Sequence, residues 1–264
     1  MLMAETEFIK LKIEEGVAVI TIDRPPVNAL NFKTMQELAG TFQELAKNSK
    51  VKAIVLTGEG KNHTFVAGAD LKEMAQLKSA AEAEQIAEKG QAIFRQIEKM
   101  KKPVIAAINS VCVGGGNELM MACHIRIASD RARFGQPEIS LGIIPGFGGT
   151  QRLPRLVGAS KARELILTGD MVTAQEALRI GLVDRVVPDG ELLRQALGLA
   201  KKIASKGGIA IALALEAIEE GLALPIDEGM KLEARFFGKI AETEDMKEGV
   251  RAFLEKREPK FQDK

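Results

Sequence analysis

The sequence predicts an α/β fold that gives way to helices in its last third. Three observations lead there. Two short, nearly continuous apolar runs, VKAIVLTG (Val51 to Gly58) and PVIAAIN (Pro103 to Asn109), have the composition of strands buried on both faces. Each is followed by a glycine-bearing segment, VAGAD or VGGGNE, and then by helical periodicity, so one pattern occurs twice between Val51 and Ala128. After Gly149 the apolar spacing is mainly that of helices.

Taken in order, Ile9, Leu11 and Ile13 alternate with Lys10, Lys12 and Glu14, the pattern of a strand with one wet face. Glu15-Gly16 turns the chain, and VAVITI (Val17 to Ile22) returns as a more buried strand. RPPVNAL ends it, because consecutive prolines cannot continue a ladder. Met35, Leu38, Phe42 and Leu45 recur at helical spacing ahead of the Val51 strand. GEGKNHTFVAGAD is a polar loop, with His63 in it, that tightens over Val66 to Asp70. A long helix carries Ile86, Ile93, Phe94, Ile97 and Met100, and stops at Lys101-Lys102-Pro103. The second strand then runs into three glycines, a helix bearing Glu118 that starts near Gly116, and the strand IRIAS. Further on, Thr173 with Glu176 has the spacing of a capping box. From about Leu199 the chain is helical throughout. Thr243, Glu244 and Asp245 open the last helix, whose stripe Met246, Val250, Phe253 and Leu254 reads as a packing face.

Composition narrows the function. At 264 residues the chain can bury a substantial core. Lys+Arg is 37 against 36 Asp+Glu, so no net field recruits nucleic acid or an acidic membrane. Cys112 and Cys123 lie in apolar runs with no CxxC spacing and read as small reduced core residues. Two histidines, His63 and His124, are too few for a histidine-rich metal site. There is no GxSxG elbow and no phosphate-binding GxxxxGK[ST] loop, and tyrosine is absent as a catalytic acid. The amino terminus lacks secretory or organelle patterning and no segment has the apolar length of a membrane span, so a cytoplasmic protein is expected.

The chemistry concentrates between Pro103 and Leu153. Gly115 precedes a helix start, where a free N–H points outward at the positive end of the helix, and Ala69 holds the analogous place after Gly68. Two such donors facing one carbonyl oxygen form an oxyanion hole. Glu118 and Glu138 both stand beside glycine-rich backbone, flanked by apolar sequence that raises carboxylate pKa values toward neutrality. Any one of these pieces alone is ordinary: a glycine triplet is usually a turn, and a glutamate in a first helical turn is usually a favourable charge. Their conjunction is what points to an acid/base site.

FVAGADLKEM (Phe65 to Met74), AAINSVCVGGGNELMMACHIRIAS, FGQPEISLGIIPGFGGTQRLPRLVG, LTGDMVTAQEALRIGLVDRVVP and TEDMKEGVRAFLEKREPKF together resemble the enoyl-CoA hydratase (crotonase) superfamily over essentially the whole length. The resemblance implies a crotonase-type spiral of repeated β-β-α units over residues 1–198, and a helical region over 199–264 used to build homotrimers, usually paired into hexamers. It implies an acyl-CoA thioester substrate, with CoA part of the substrate and no separate cofactor or metal. The thioester carbonyl would accept hydrogen bonds from Ala69 and Gly115 N–H. Ala67, Ala69, Asp70, Leu71 and Lys72 become candidates for CoA contacts, and Gly146 lies in the loop lining the site. Both hydratase glutamates are matched. Glu118 would deprotonate the water that adds to the β-carbon, and Glu138 would exchange the proton at the α-carbon.

That resemblance makes a 2-enoyl-CoA hydratase of fatty-acid β-oxidation the expected activity, on short or medium chains. The alternatives are a Δ3-Δ2 isomerase, a hydratase of a specialised substrate, or an RNA-binding homologue, which the balanced charge disfavours. Three positions depart from the commonest pattern. His124 stands in place of an aspartate, Phe147 in place of a small residue that would border the acyl pocket, and RPPVNAL is a residue short, which would alter contacts to CoA. Lys247 and Lys256 are candidates to reach CoA phosphates of a neighbouring subunit, though solvated lysines are the commoner case.

Overall fold

The protein is described here as a computed structural model covering residues 6–59 and 64–264. His63 falls outside the described residues. β1 (Ile9–Glu14) and β2 (Val17–Ile22) form an antiparallel hairpin around Glu15-Gly16, with Gly16 at φ +78°. After α1 (Phe32–Lys47), whose first turn is capped by the Asn31 side chain, β3 (Ala53–Gly58) pairs parallel to β2. The chain then crosses to β4 (Val66–Ala67), followed by α2 (Leu71–Met74) and α3 (Ala80–Glu98). β5 (Val104–Ile108) rejoins the first sheet, and β6 (Val111–Val113) joins β4 before α4 (Gly115–Met121). β7 (Ile125–Ser129) and β8 (Arg133–Gly135) repeat the step. They lead through a 3-10 turn (Pro137–Leu141) to α5 (Gly149–Val157) and α6 (Ala159–Thr168).

Each turn therefore adds one strand to each of two sheets, which is the expected spiral. β9 (Val172–Thr173), α7 (Ala174–Arg179) and β10 (Arg185–Val187) complete it. The larger sheet has the order β1-β2-β3-β5-β7-β10, parallel from β2 onward; the smaller is β4-β6-β8-β9. Alternation along the strands explains the unbroken apolar runs. Ile54 and Leu56 face a core containing Phe42, Phe65, Phe94 and Phe134, while Ala53 and Val55 face the opposite side.

That opposite side is covered by α8 (Leu192–Ala204), whose Ala196, Ala200 and Ala204 lie on the sheet. Residue 198, the expected end of the core, falls inside this helix, which by its packing belongs to the sheet. α9 (Gly208–Gly221), α10 (Ile226–Ala241) and α11 (Glu244–Leu254) follow, with Thr173 and Thr243 capping α7 and α11 as their positions predict. The stripe Met246, Val250, Phe253 and Leu254, expected to be a packing face, is not packed within the single chain. All four are exposed, Phe253 at 82%, because no other element among the described residues covers that side of α11. Leu222 (82%) and Phe237 (73%), on the neighbouring helices, are uncovered in the same way.

Candidate active site

Three successive turns of the spiral meet at one place. From the first, β4 delivers Gly68, Ala69 and Asp70. Asp70 accepts from Lys72 N–H at 2.9 Å, capping α2, and pairs with Arg24 at 2.5 Å. Burial alone pushes the Asp70 carboxyl up, but Arg24 and the backbone amides outweigh it and hold it below its ordinary value. The RPPVNAL segment braces this loop. Asn28 Nδ2 donates to the Glu59 and Thr64 carbonyls at 2.7 Å each, Ala67 N–H donates to Val27 O, and Leu30 brackets Ala69 through Leu30 N–H to Gly68 O and Asp70 N–H to Leu30 O.

The second turn brings β6 into α4. The helix starts at Gly115, one residue earlier than the sequence indicates, because Gly114 at φ +54° acts as the cap. Gly116 has no room for a side chain: a Cβ there would stand 2.2 Å from the Val66 carbonyl oxygen. The start of α4 is thus pressed directly onto β4, and a Cβ at Gly115 would lie 3.5 Å from Ala69 N. Neither Ala69 N–H nor Gly115 N–H donates to an acceptor among the described residues. Both residues line one cavity. Two unengaged donors on adjacent backbone are what a developing oxyanion requires.

Glu118, one turn into α4, is 1% exposed. Its Oε1 accepts from Phe147 N–H at 2.8 Å and from Gly149 N–H at 2.7 Å, both supplied by the third turn. Burial pushes this carboxyl up to about 7. The charge of Glu138 acts in the same direction, against the pull of the two amides and Arg152. Glu138 sits in the 3-10 turn after β8, and its buried Oε2 has no hydrogen-bond partner among the described residues. Burial raises its pKa as well. Glu118, raised to about 7, can exchange a proton near neutrality, and Glu138, raised by burial, stands as its partner in acid/base work.

The cavity measures about 690 Å³ and is lined mainly by apolar side chains. Ala67, Ala69, Asp70, Leu71, Gly115, Glu118, Glu138 and Gly146 all line it; Lys72 does not. Its walls include residues that the sequence treats only as helix packing or leaves unassigned, namely Ile86 and Ile93 from α3, and Leu141, Ile143 and Ile144 after Glu138. The Phe147 ring stacks edge-on against Phe94 at 5.7 Å and fills the space that a side chain at Gly90 would need. His124 lies away from the cavity, where its Nδ1 accepts from Val104 N–H at 2.9 Å and its Nε2 lies 3.2 Å from Glu98 O. Burial lowers its pKa, which favours the neutral ring. Lys247 pairs with Glu244 at 2.7 Å on the surface. No group of three or more His, Cys, Asp or Glu among the described residues is placed to hold a metal.

The sequence reading has no place for Arg152 and Glu98. Arg152 Nη1 donates to Phe147 O at 2.9 Å, and its guanidinium meets both carboxylate oxygens of Glu98, at 3.2 and 3.0 Å. The sole signal for Arg152 is its place in GGTQRL.

This geometry has counterparts. The family described as enoyl-CoA hydratase/isomerase matches residues 12–264. The chain is 49% identical to a crotonyl-CoA hydratase of Syntrophomonas wolfei, across 97% of this chain and 98% of that one. It is 47% identical to a short-chain-enoyl-CoA hydratase of Clostridium acetobutylicum, across 96% and 97%. Among solved structures, an enoyl-CoA hydratase from Bacillus anthracis superposes with a TM-score of 0.93 at 39% identity, covering 98% of this chain and 100% of that chain. In sequence over residues 12–264 and in its two-sheet spiral, the chain belongs to the enoyl-CoA hydratase/isomerase family.

Proposed function

We propose that this chain hydrates trans-2-enoyl-CoA thioesters to 3-hydroxyacyl-CoA. The observation that carries the reading is a pair of pKa-raised carboxyls, Glu118 buried and Glu138 half-buried, lining one apolar cavity with two unengaged backbone amides. In the proposed reaction the thioester oxygen accepts from Ala69 N–H and Gly115 N–H. Ionised Glu118 takes a proton from water as its oxygen bonds to the β-carbon, and electron density moves onto the thioester oxygen as an enolate. Protonated Glu138 then gives its proton to the α-carbon, restoring the carbonyl. The amides bind the thioester oxygen more strongly as negative charge develops on it, each contributing about 3 kcal/mol to the transition state. Acid, base and oxyanion donors all come from the chain, so the reaction as proposed needs no cofactor.

Crotonyl-CoA and longer enoyl-CoA thioesters, followed by loss of the ultraviolet absorbance of the conjugated thioester, test this. Fast loss is expected, greatest on short chains because the Phe147 ring narrows the cavity beside α3. Hydration requires Glu118 ionised, so turnover is expected to fall as pH drops through about 7, the value to which Glu118 is raised. Absence of absorbance loss on every chain length, with the thioester still bound, would favour the isomerase side of the family.

Assembly into trimers, and pairs of trimers, is part of the same proposal. It is supported by the uncovered apolar side chains of α9, α10 and α11, among them Leu222, Ile226, Phe237 and Phe253. Light scattering is expected to give three or six chains per particle, and a single-chain mass would overturn it. A cytoplasmic location and a place in fatty-acid β-oxidation also belong to the proposal. The location accords with the two buried, unpaired cysteines.

A further inference from the structure

The loop that feeds Glu118 is held from behind. Phe147 N–H and Gly149 N–H point to Glu118 Oε1, while Phe147 O, on the other edge of the same short segment, accepts from Arg152. Gly148, between them at φ +111°, lies flat against the guanidinium: a Cβ there would come within 2.3 Å of Arg152 Nη1. Arg152 is fixed in turn by Glu98, at the end of α3, through a two-point contact whose side chains are only 13% and 22% exposed. Glu98 is itself constrained, since its carboxylate also meets Arg95 at 2.7 Å and its backbone oxygen meets His124 Nε2. Arg95 continues the chain to Glu219 on α9.

We propose that Glu98 is a positioning residue for Glu118. It holds Arg152 in the one orientation that anchors Phe147 O, and so keeps two amides aimed at the Glu118 carboxylate. The inference rests on the hydratase reading above and adds to it a residue that touches no part of the cavity. A planar guanidinium forked onto a carboxylate suits this role, because one rigid group can satisfy the carboxylate and the loop carbonyl together.

Glu98→Gln separates this role from a charge effect by the sign of its outcome. The charged groups around the cluster are Glu138 and Arg152 facing Glu118, and Arg95, Arg152 and neutral His124 facing Glu98, with Glu219 and Arg126 beyond. Removing the negative charge of Glu98 acts, by electrostatics alone, to stabilise ionised Glu118 and move the acid limb of turnover to lower pH. Loss of positioning does the opposite: when the two amides slip, ionised Glu118 loses its donors and the acid limb moves to higher pH.

The expected result for Glu98→Gln is an upward move of about half a pH unit or more. Turnover on crotonyl-CoA should also fall about 10-fold or more with KM little changed. Arg152→Lys, which keeps the charge but not the fork, is expected to move the limb the same way, and Glu98→Asp to recover part of the loss. An acid limb that stays in place or moves down in folded Glu98→Gln, with thermal melting as the check on folding, would overturn the proposal. If Glu98→Gln does not fold, the same reading is taken from Arg152→Lys. A wild type that hydrates no enoyl-CoA would sink the underlying function instead, so the two failures are distinct.

Discussion

Glu118→Gln and Glu138→Gln are each expected to lower turnover of crotonyl-CoA by roughly 10²–10⁴-fold while leaving thioester binding nearly intact. The amide is close in size and shape to the carboxyl it replaces, so folding should survive both. The two substitutions should nonetheless differ in stability. Glu118 Oε1 accepts two backbone N–H bonds, and an amide oxygen can keep both. At neutral pH Glu118→Gln also removes the cost of a partly ionised buried carboxyl, so its melting temperature should stay level or rise. Glu138→Gln instead introduces two amide hydrogens where Oε2 has no partner. Absorbance assays beside thermal melts check both points. A loss smaller than tenfold in either variant would remove that glutamate from the proposed chemistry.

Gly116→Ala is expected to have the next largest effect, although it alters no catalytic atom. The new methyl would meet Val66 O at 2.2 Å and the Val66 side chain at 2.7 Å, and neither backbone element can yield cheaply. The start of α4 must move off β4, which separates Gly115 N–H from Ala69 N–H and shifts Glu118 with the helix. Loss of effective contact with one donor corresponds to about a 10²–10³-fold lower turnover. Overpacking of this kind also costs roughly 1–3 kcal/mol of stability. Measured kcat and urea midpoints would report both, and a variant with wild-type turnover would show that α4 and β4 need not touch at this point.

How much was legible in the sequence differs sharply between kinds of residue. The residues proposed for catalysis stood out because each lies within a few residues of a distinctive neighbour: Gly115 and Glu118 in VGGGNE, Ala69 in VAGAD, Glu138 after Pro137. The central strands β3 and β5 of the larger sheet were equally clear, being largely buried on both faces over five or six residues. The smaller sheet was not visible from local pattern, since β4, β6 and β8 are two or three residues long and too short to display alternation. Only the family resemblance supplied the paired strands. Glu98 and Arg152 were missed for a related reason: a contact between segments far apart in sequence leaves no periodic trace in either. The first residue of α4 was misplaced by one because a run of glycines offers no side chain to mark the cap. The RPPVNAL segment, expected to bear on CoA, also braces the Ala69 loop through Asn28 and Leu30.

The spiral that adds one strand to each sheet per turn also divides the labour of the site. The first turn brings one of the proposed oxyanion donors, the second brings the other with Glu118, and the third brings Glu138 and the loop that hydrogen-bonds Glu118. The chemical parts are therefore spread over three layers, and a layer can be altered at its rim without rebuilding the ones beneath. The donors proposed to stabilise an enolate would survive relocation or loss of a single acid. A family whose description joins hydratase to isomerase is what such a layered frame permits: one constant grip on the thioester, with proton traffic rewired one turn at a time.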